Sequence, residues 1–173
     1  NKELKRTVLL GSTQNIYASR DSLYVAAPKY AQIKEGSDDE LSFSGEATTL
    51  VYRFTLNEDE IEYQNQGQVK GSILNQFSMD ESGDHFRIAT TRNRYTPKHG
   101  SITDNNLYIL EKTGMKTVGR LEGLAKGEHI KSVRFMGNRG YLVTFKTVDP
   151  LFVVDLSEPT SPKVLGELKI PGW

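Results

Sequence analysis

The 173-residue sequence contains no cysteine, which excludes disulfide bonds, thiol catalysis and cysteine-ligated zinc. It also has no surplus of either charge, because 22 basic residues balance 22 acidic ones. Proteins that bind nucleic acid usually carry a basic excess, so nucleic acid is not a predicted partner. No apolar run approaches the roughly 18 residues of a membrane-spanning helix, and we expect no membrane span.

Familiar catalytic signatures are missing as well. The sequence has no Walker-type phosphate loop, no Gly-x-Gly-x-x-Gly, no His-Glu-x-x-His and no Gly-x-Ser-x-Gly elbow. Its three histidines, His85, His99 and His129, do not have the spacing of metal ligands. The acidic segment 80–84 lacks the alternating oxygen ligands of a calcium loop and is interpreted as a solvated hairpin. We therefore predict no catalytic residue, no metal and no cofactor.

What the sequence does contain is a series of short segments in which apolar and polar residues alternate. They are rich in Val, Ile, Tyr, Phe and Thr, as half-buried β-strands are. Turn-forming residues separate them, for example Ser82-Gly83 and Asn138-Arg139-Gly140. No window shows convincing helical periodicity, so the predicted fold is all-β.

These strands recur in sets of four, which we label a, b, c and d in chain order. The sets occupy residues 15–71, 72–123 and 124–173. After two long b–c insertions are subtracted, at residues 28–47 and 92–104, each set has about 40 to 45 residues, the size of one propeller blade. The sequence therefore predicts a partial β-propeller of three four-stranded antiparallel blades.

Residues 1–14 read as the d strand of a preceding blade, because similar segments precede the later a strands. Three blades plus one orphan outer strand cannot close a ring of the usual four to eight blades. We therefore expect the chain to be a segment of a longer propeller. Its exposed blade faces would favour self-association or an altered packing.

Several segments carry a resemblance to a known family: Leu74-Asn-Gln-Phe-Ser-Met-Asp80, Arg134-Phe-Met-Gly137, Gly140-Tyr-Leu-Val-Thr-Phe145, Val148-Asp-Pro-Leu-Phe-Val153, and the stretch 155–172. At these residues the chain resembles secreted bacterial and archaeal proteins with a C-terminal β-propeller domain, distantly related to WD-repeat propellers. The resemblance implies a secreted or cell-surface location, which rests on it alone. It supplies no catalytic residues.

Blade topology indicates where a ligand would bind. Successive turns alternate between the two ends of the strands, so the b–c turns and the d–a links share one end. Functional residues concentrate in long loops held by a rigid frame, and mixed aromatic and basic residues suit carbohydrate, peptide or anionic polymers. The candidate ligand-binding residues at this end are Tyr30, Lys34, Arg94, Tyr95, His99, His129 and Asp149. The alternative is that they are ordinary solvated loop residues.

The function predicted from these observations is a non-catalytic extracellular module for binding or protein interaction. Its partner would be an unknown protein or a cell-surface polysaccharide. The alternative is a part of a propeller-type hydrolase or lyase that acts on polysaccharides, and a third possibility is a structural spacer.

Overall fold

A computed structural model describes residues 15–29, 46–57, 60–96, 98, 100–145 and 149–170. These residues form twelve strands and one 3₁₀ turn, Gln76–Ser78. The strands are β1 (Asn15–Ala18), β2 (Ser22–Lys29), β3 (Thr48–Leu56), β4 (Ile61–Lys70), β5 (Met79–Ser82), β6 (His85–Thr96), β7 (Gly100–Glu111), β8 (Thr117–Leu124), β9 (His129–Met136), β10 (Arg139–Phe145), β11 (Asp149–Asp155) and β12 (Lys163–Ile170).

The strands form three four-stranded antiparallel sheets. The first sheet has the order β1-β2-β3-β4, the second β5-β6-β7-β8 and the third β9-β10-β11-β12. In each of them every strand pairs with the next one along the chain. The all-β prediction, with four strands in each repeat, is confirmed. The orphan strand predicted within residues 1–14 lies outside the described residues.

The first strands of the three sheets converge on one edge. The 3₁₀ turn, which directly precedes β5, contacts both β1 and β9. The last strands, β4, β8 and β12, lie at the opposite edges of their sheets. We call the converging edge the inner edge and the opposite one the outer edge.

The faces of the first and second sheets enclose one apolar cluster. Tyr24 stacks on Phe86 with ring centroids 4.3 Å apart, and Val51, Ile88 and Leu110 are buried beside them. Stacked aromatic pairs add about 0.5–1.5 kcal/mol to the effect of burial alone. This cluster is the seam that joins the first two sheets.

A second apolar cluster joins the second and third sheets. It contains Leu107 and Ile109 from β7, together with Val133, Leu142 and Val154 from the third sheet. Successive residues of a strand point to opposite faces, so β7 contributes alternate residues to the two clusters. The second sheet is therefore covered on both faces.

Polar side chains reinforce the first of these seams. The Tyr24 hydroxyl donates to Glu81 Oε2 at 2.6 Å, and Lys112 Nζ lies 3.0 Å from Glu81 Oε1. The Glu81 amide donates to the Tyr17 hydroxyl at 3.1 Å. Burial, followed by the bond to Glu81, raises the pKa of Tyr24 well above its usual value. The Glu81 carboxylate is thus a bridge between two sheets.

The second seam has a similar bridge in Arg87. Its Nε donates to Asp80 at 2.7 Å, its Nη1 donates to the Gly137 carbonyl at 2.8 Å, and its guanidinium lies over the Phe135 ring. The predicted solvated hairpin at residues 80–84 is therefore only partly correct. Gly83 and Asp84 are exposed, but Asp80 and Glu81 are half-buried and paired.

Candidate functional site

Among the described residues, the longest hairpin ladder is β6–β7, which extends beyond its sheet at the b–c end. The two strands pair without interruption from His85↔Glu111 to Thr96↔Gly100. Their neighbours stop earlier, because β5 pairs only as far as Ile88 and β8 ends opposite Asn105. We call the projecting part, residues 92–96 and 100–104, the ribbon. The insertion predicted at residues 92–104 is thus a regular two-stranded extension.

A buried ion pair anchors the base of the ribbon. Arg92 and Asp104 lie directly opposite each other in the ladder, and they are 8% and 1% exposed. Arg92 Nε donates to Asp104 Oδ1 at 2.9 Å and Nη2 donates to Oδ2 at 2.8 Å. Such two-point pairs are geometrically specific as well as strong. They fix the relative position of the two strands where the ribbon leaves the sheet.

Other polar groups complete this network. Glu46 Oε1 lies 3.3 Å from Arg92 Nη1, which ties the ribbon base to the first sheet, and Asn106 donates to Asp104 Oδ1 at 3.3 Å. Burial would raise the pKa of Asp104, but the hydrogen bonds and charge of Arg92 outweigh it, so that this pKa is lowered. The hydrogen bond to Asp104 is the main reason that the pKa of Arg92 is raised. Both groups therefore stay charged at neutral pH.

The other face of the ribbon base holds the link to the third sheet. Asn105 Nδ2 lies within hydrogen-bond distance of the carbonyls of Leu124, Ala125 and Glu128, at 3.1 to 3.3 Å. The Gly127 amide donates to the Thr103 carbonyl at 2.8 Å. The d–a link 125–128 consequently lies beside the b–c ribbon, as the blade topology predicts.

A model of the β-propeller domain matches this sequence over residues 1–173. The chain belongs to the β-propeller domain family. Within this propeller segment, the three sheets are the blades that the repeat predicts.

Two archaeal relatives share most of this propeller segment. It is 49% identical over 118 residues to an uncharacterised protein of Methanocaldococcus jannaschii, covering 68% of this chain and 18% of that protein. It is 40% identical over 125 residues to an uncharacterised protein of Archaeoglobus fulgidus, covering 72% of this chain and 18% of that protein. The chain therefore spans about a fifth of the length of either relative.

The structure places some of the predicted site residues at one end of the propeller segment. Arg94 and Tyr95 lie on the ribbon, where Tyr95 is 67% exposed and Arg94 Nη2 is 3.5 Å from Asp104. His129 is exposed and begins β9, directly after the link beside the ribbon. Asp149 begins β11, although its side chain is outside the description. Tyr30, Lys34 and His99 lie outside the described residues.

The residues that hold this end together were not among the predicted site residues. Arg92 and Asp104 marked the limits of a predicted insertion, and their opposite charges twelve positions apart were the available signal. Asn105 gave no signal, because nothing in the sequence shows which carbonyls an amide will meet. The buried and half-buried carboxylates Asp80, Glu81 and Asp104 each pair with a neighbouring cation, so their evident role is to connect strands and sheets.

The described part of the chain contains neither a ready-made metal-binding group nor a helix that could span a membrane. No group of three or more His, Asp or Glu residues is arranged to hold a metal ion there. Within the same residues, none of the helical structure is long and apolar enough to cross a membrane.

Proposed function

We propose that this propeller segment belongs to a non-catalytic extracellular module that binds a protein or a cell-surface polysaccharide through its b–c end. The observation that supports it is the ribbon, a two-stranded projection with Arg94 and Tyr95 exposed near its end. Exposed side chains on a mobile loop would lose conformational freedom on binding, which weakens affinity. The Arg92–Asp104 pair reduces that loss by ordering the ribbon in advance.

The chemistry of the ribbon suits such a partner. Tyrosine and arginine are enriched at binding hot spots, because each offers both apolar area and hydrogen-bond donors. Within the described part of the chain, Arg94 reaches one carboxylate, Asp104, through Nη2 at 3.5 Å. Asp104 is held mainly by Arg92, so the other donors of the Arg94 guanidinium can serve an external group. The location outside the cell rests on the resemblance to secreted propeller proteins.

Co-sedimentation with the cell-envelope fraction of the source organism tests the proposal. The Arg94→Ala/Tyr95→Ala variant should bind the envelope at least tenfold more weakly than the unmodified chain. The matched control is Lys163→Ala/Val164→Ala, which removes an adjacent exposed basic and apolar pair from β12. Retained binding by the ribbon variant, or equal loss in the control, would contradict a role for the ribbon.

We also propose that the chain self-associates through the open face of the third sheet. Leu151 and Val153 occupy the positions in β11 that Leu107 and Ile109 occupy in β7, next to the same ladder bulge. Leu107 and Ile109 are fully buried against the next sheet, whereas Leu151 and Val153 are only half-buried. Leu168, which pairs with Leu151, is 59% exposed. The proposed occupant of this face is a second copy of the chain.

The oligomeric state in solution tests this second proposal. Light scattering after size-exclusion chromatography should show a dimer or larger species whose population rises with concentration. Leu168→Glu should shift the chain to a monomer, while Lys169→Glu, which changes charge next to it, should have a smaller effect. A monomer at all concentrations would refute it.

A further inference from the structure

Another exposed cation, Arg134, lies at the inner edge, away from the ribbon. Arg134, in β9, places its Cζ atom 3.9 Å from the centroid of the Phe77 ring in the 3₁₀ turn. Both residues are exposed, Phe77 by 47%. At this distance the guanidinium rests against the ring face, which attracts cations through its quadrupole. This contact favours one orientation of the side chain at the junction of two sheets.

The path of the Arg134 side chain explains how the contact forms. Its neighbours Val133 and Phe135 face the second sheet and pack against the second apolar cluster, so Arg134 leaves β9 on the other face. β9 is an edge strand with no sheet neighbour on its inner side. Arg134 can therefore cross this edge to reach Phe77, which belongs to the segment before β5. Its Nη1 donates to the Val133 carbonyl at 2.9 Å on the way.

This arginine differs from others in its pairing. Arg87, Arg92 and Arg139 each form an ion pair with an aspartate. Among the described residues, no carboxylate lies within ion-pair distance of Arg134. A guanidinium has five N–H donors, and only one is accounted for by the bond to Val133. Arg134 is thus an exposed cation whose other donors have no carboxylate partner in the described part of the chain.

We propose that Arg134 and Phe77 form a binding site for a carboxylate ligand at the inner edge. A guanidinium binds a carboxylate through two parallel hydrogen bonds in its own plane. A planar carboxylate bound in that way stays alongside the Phe77 ring, which offers it an apolar flank. A tetrahedral phosphate can make the same two bonds, but its other oxygens then project out of that plane, where one of them meets the negative face of the Phe77 ring. The site uses no residue of the ribbon, so it is independent of the proposed envelope binding.

Nuclear magnetic resonance of the arginine Nε–Hε groups tests the site directly. The ¹⁵N-labelled chain is titrated with citrate and, separately, with inorganic phosphate, with sodium chloride added to hold the ionic strength constant. We expect a saturable shift of the Arg134 Nε signal with citrate and weaker binding of phosphate. Arg139 Nε is the internal control, because that guanidinium is already paired with Asp155.

Variants separate binding at this site from general charge effects. Since some of them lack the Arg134 Nε group, the chemical shift of the neighbouring Val133 amide is followed in all of them. Arg134→Gln should abolish the citrate response, Arg134→Lys should weaken it at least tenfold, and Phe77→Leu should weaken it at least threefold. Arg139→Gln should leave it unchanged. Absence of a saturable shift, equal shifts at Arg134 and Arg139, or full binding by either Arg134→Gln or Phe77→Leu would overturn the proposal. Tighter binding of phosphate than of citrate would overturn the assignment of a carboxylate.

Discussion

Replacing Gly119 by alanine probes the outer part of the seam between the second and third sheets. Gly119 lies in β8, where a Cβ atom would sit 1.9 Å from the Pro159 carbonyl oxygen and 3.2 Å from Pro162 Cδ. To restore ordinary contact, the turn before β12 must move away by roughly 1.5 Å. The backbone oxygen cannot turn aside as a flexible side chain could, so the two sheets must separate locally.

The expected cost follows from the behaviour of overpacked cores. Inserting a methyl group into a filled site usually costs about 1–3 kcal/mol. Gly166→Ala is the matched control, because Gly166 lies opposite Val153 as Gly119 lies opposite Ile109, each beside a ladder bulge. A Cβ at Gly166 meets nothing within 4 Å. The control should be neutral or more stable by about 0.4–1 kcal/mol, since alanine restricts the unfolded chain.

Urea unfolding followed by far-ultraviolet circular dichroism measures the difference. Gly119→Ala should be less stable than Gly166→Ala by about 1–3 kcal/mol, because the restriction of the unfolded chain is common to both variants and cancels in the comparison. In a thermal scan, 1 kcal/mol corresponds to about 2–4 °C for a chain of this size. Equal stability of the two variants, within about 0.5 kcal/mol, would show that the turn does not press on β8 and would refute the reasoning.

Three further predictions concern the polar bridges. Asp104→Asn leaves Arg92 buried without its main counter-charge and should lower the free energy of unfolding by about 3 kcal/mol. In the same urea assay, the apolar double variant Arg92→Met/Asp104→Leu should recover most of that loss. Tyr24→Phe removes a hydrogen bond to a carboxylate and should cost about 1–2 kcal/mol; an unchanged urea midpoint would count against the Glu81 bridge. The pKa values of Asp104 and Glu81 are lowered in the fold, so the stability they contribute is present above their unfolded pKa values and is lost as the pH falls through the folded ones. The urea midpoint should therefore decline below about pH 5, and Asp104→Asn should make that decline shallower.

The strands could be predicted from the sequence because alternation is a local property. β10 is an example, since Leu142 and Thr144 are buried while Tyr141, Val143 and Phe145 are more exposed. A period of two is enough to predict such a strand. The grouping into four followed from the same signal, repeated along the chain.

The ribbon could not be predicted in the same way. Its residues are mostly polar, and polar runs with Pro97 and Gly100 are typical of loops. It is nevertheless a regular ladder, because Arg92 and Asp104 meet across it and satisfy each other's charge. Tertiary pairing overrides local composition at this point.

The candidate sites depend even more on contacts between distant residues. Arg134 and Phe77 are 57 positions apart, as are Tyr24 and Glu81, and no local pattern connects either pair. Blade topology placed Arg94, Tyr95 and the link before His129 at one end, because assigning a loop to an end of the sheet requires only the order of the strands. It could not show which side chains would be paired and which would remain available.

Because the second sheet is covered on both faces, the three sheets need not unfold together. β6 and β7 take part in both seams, whereas the first and third sheets each pack on the second from their own side. Stability in such an array is approximately a sum of terms between neighbours. One flanking sheet can therefore melt while the other stays docked, and amide protons in the middle of β6 and β7 would be the last to exchange with solvent.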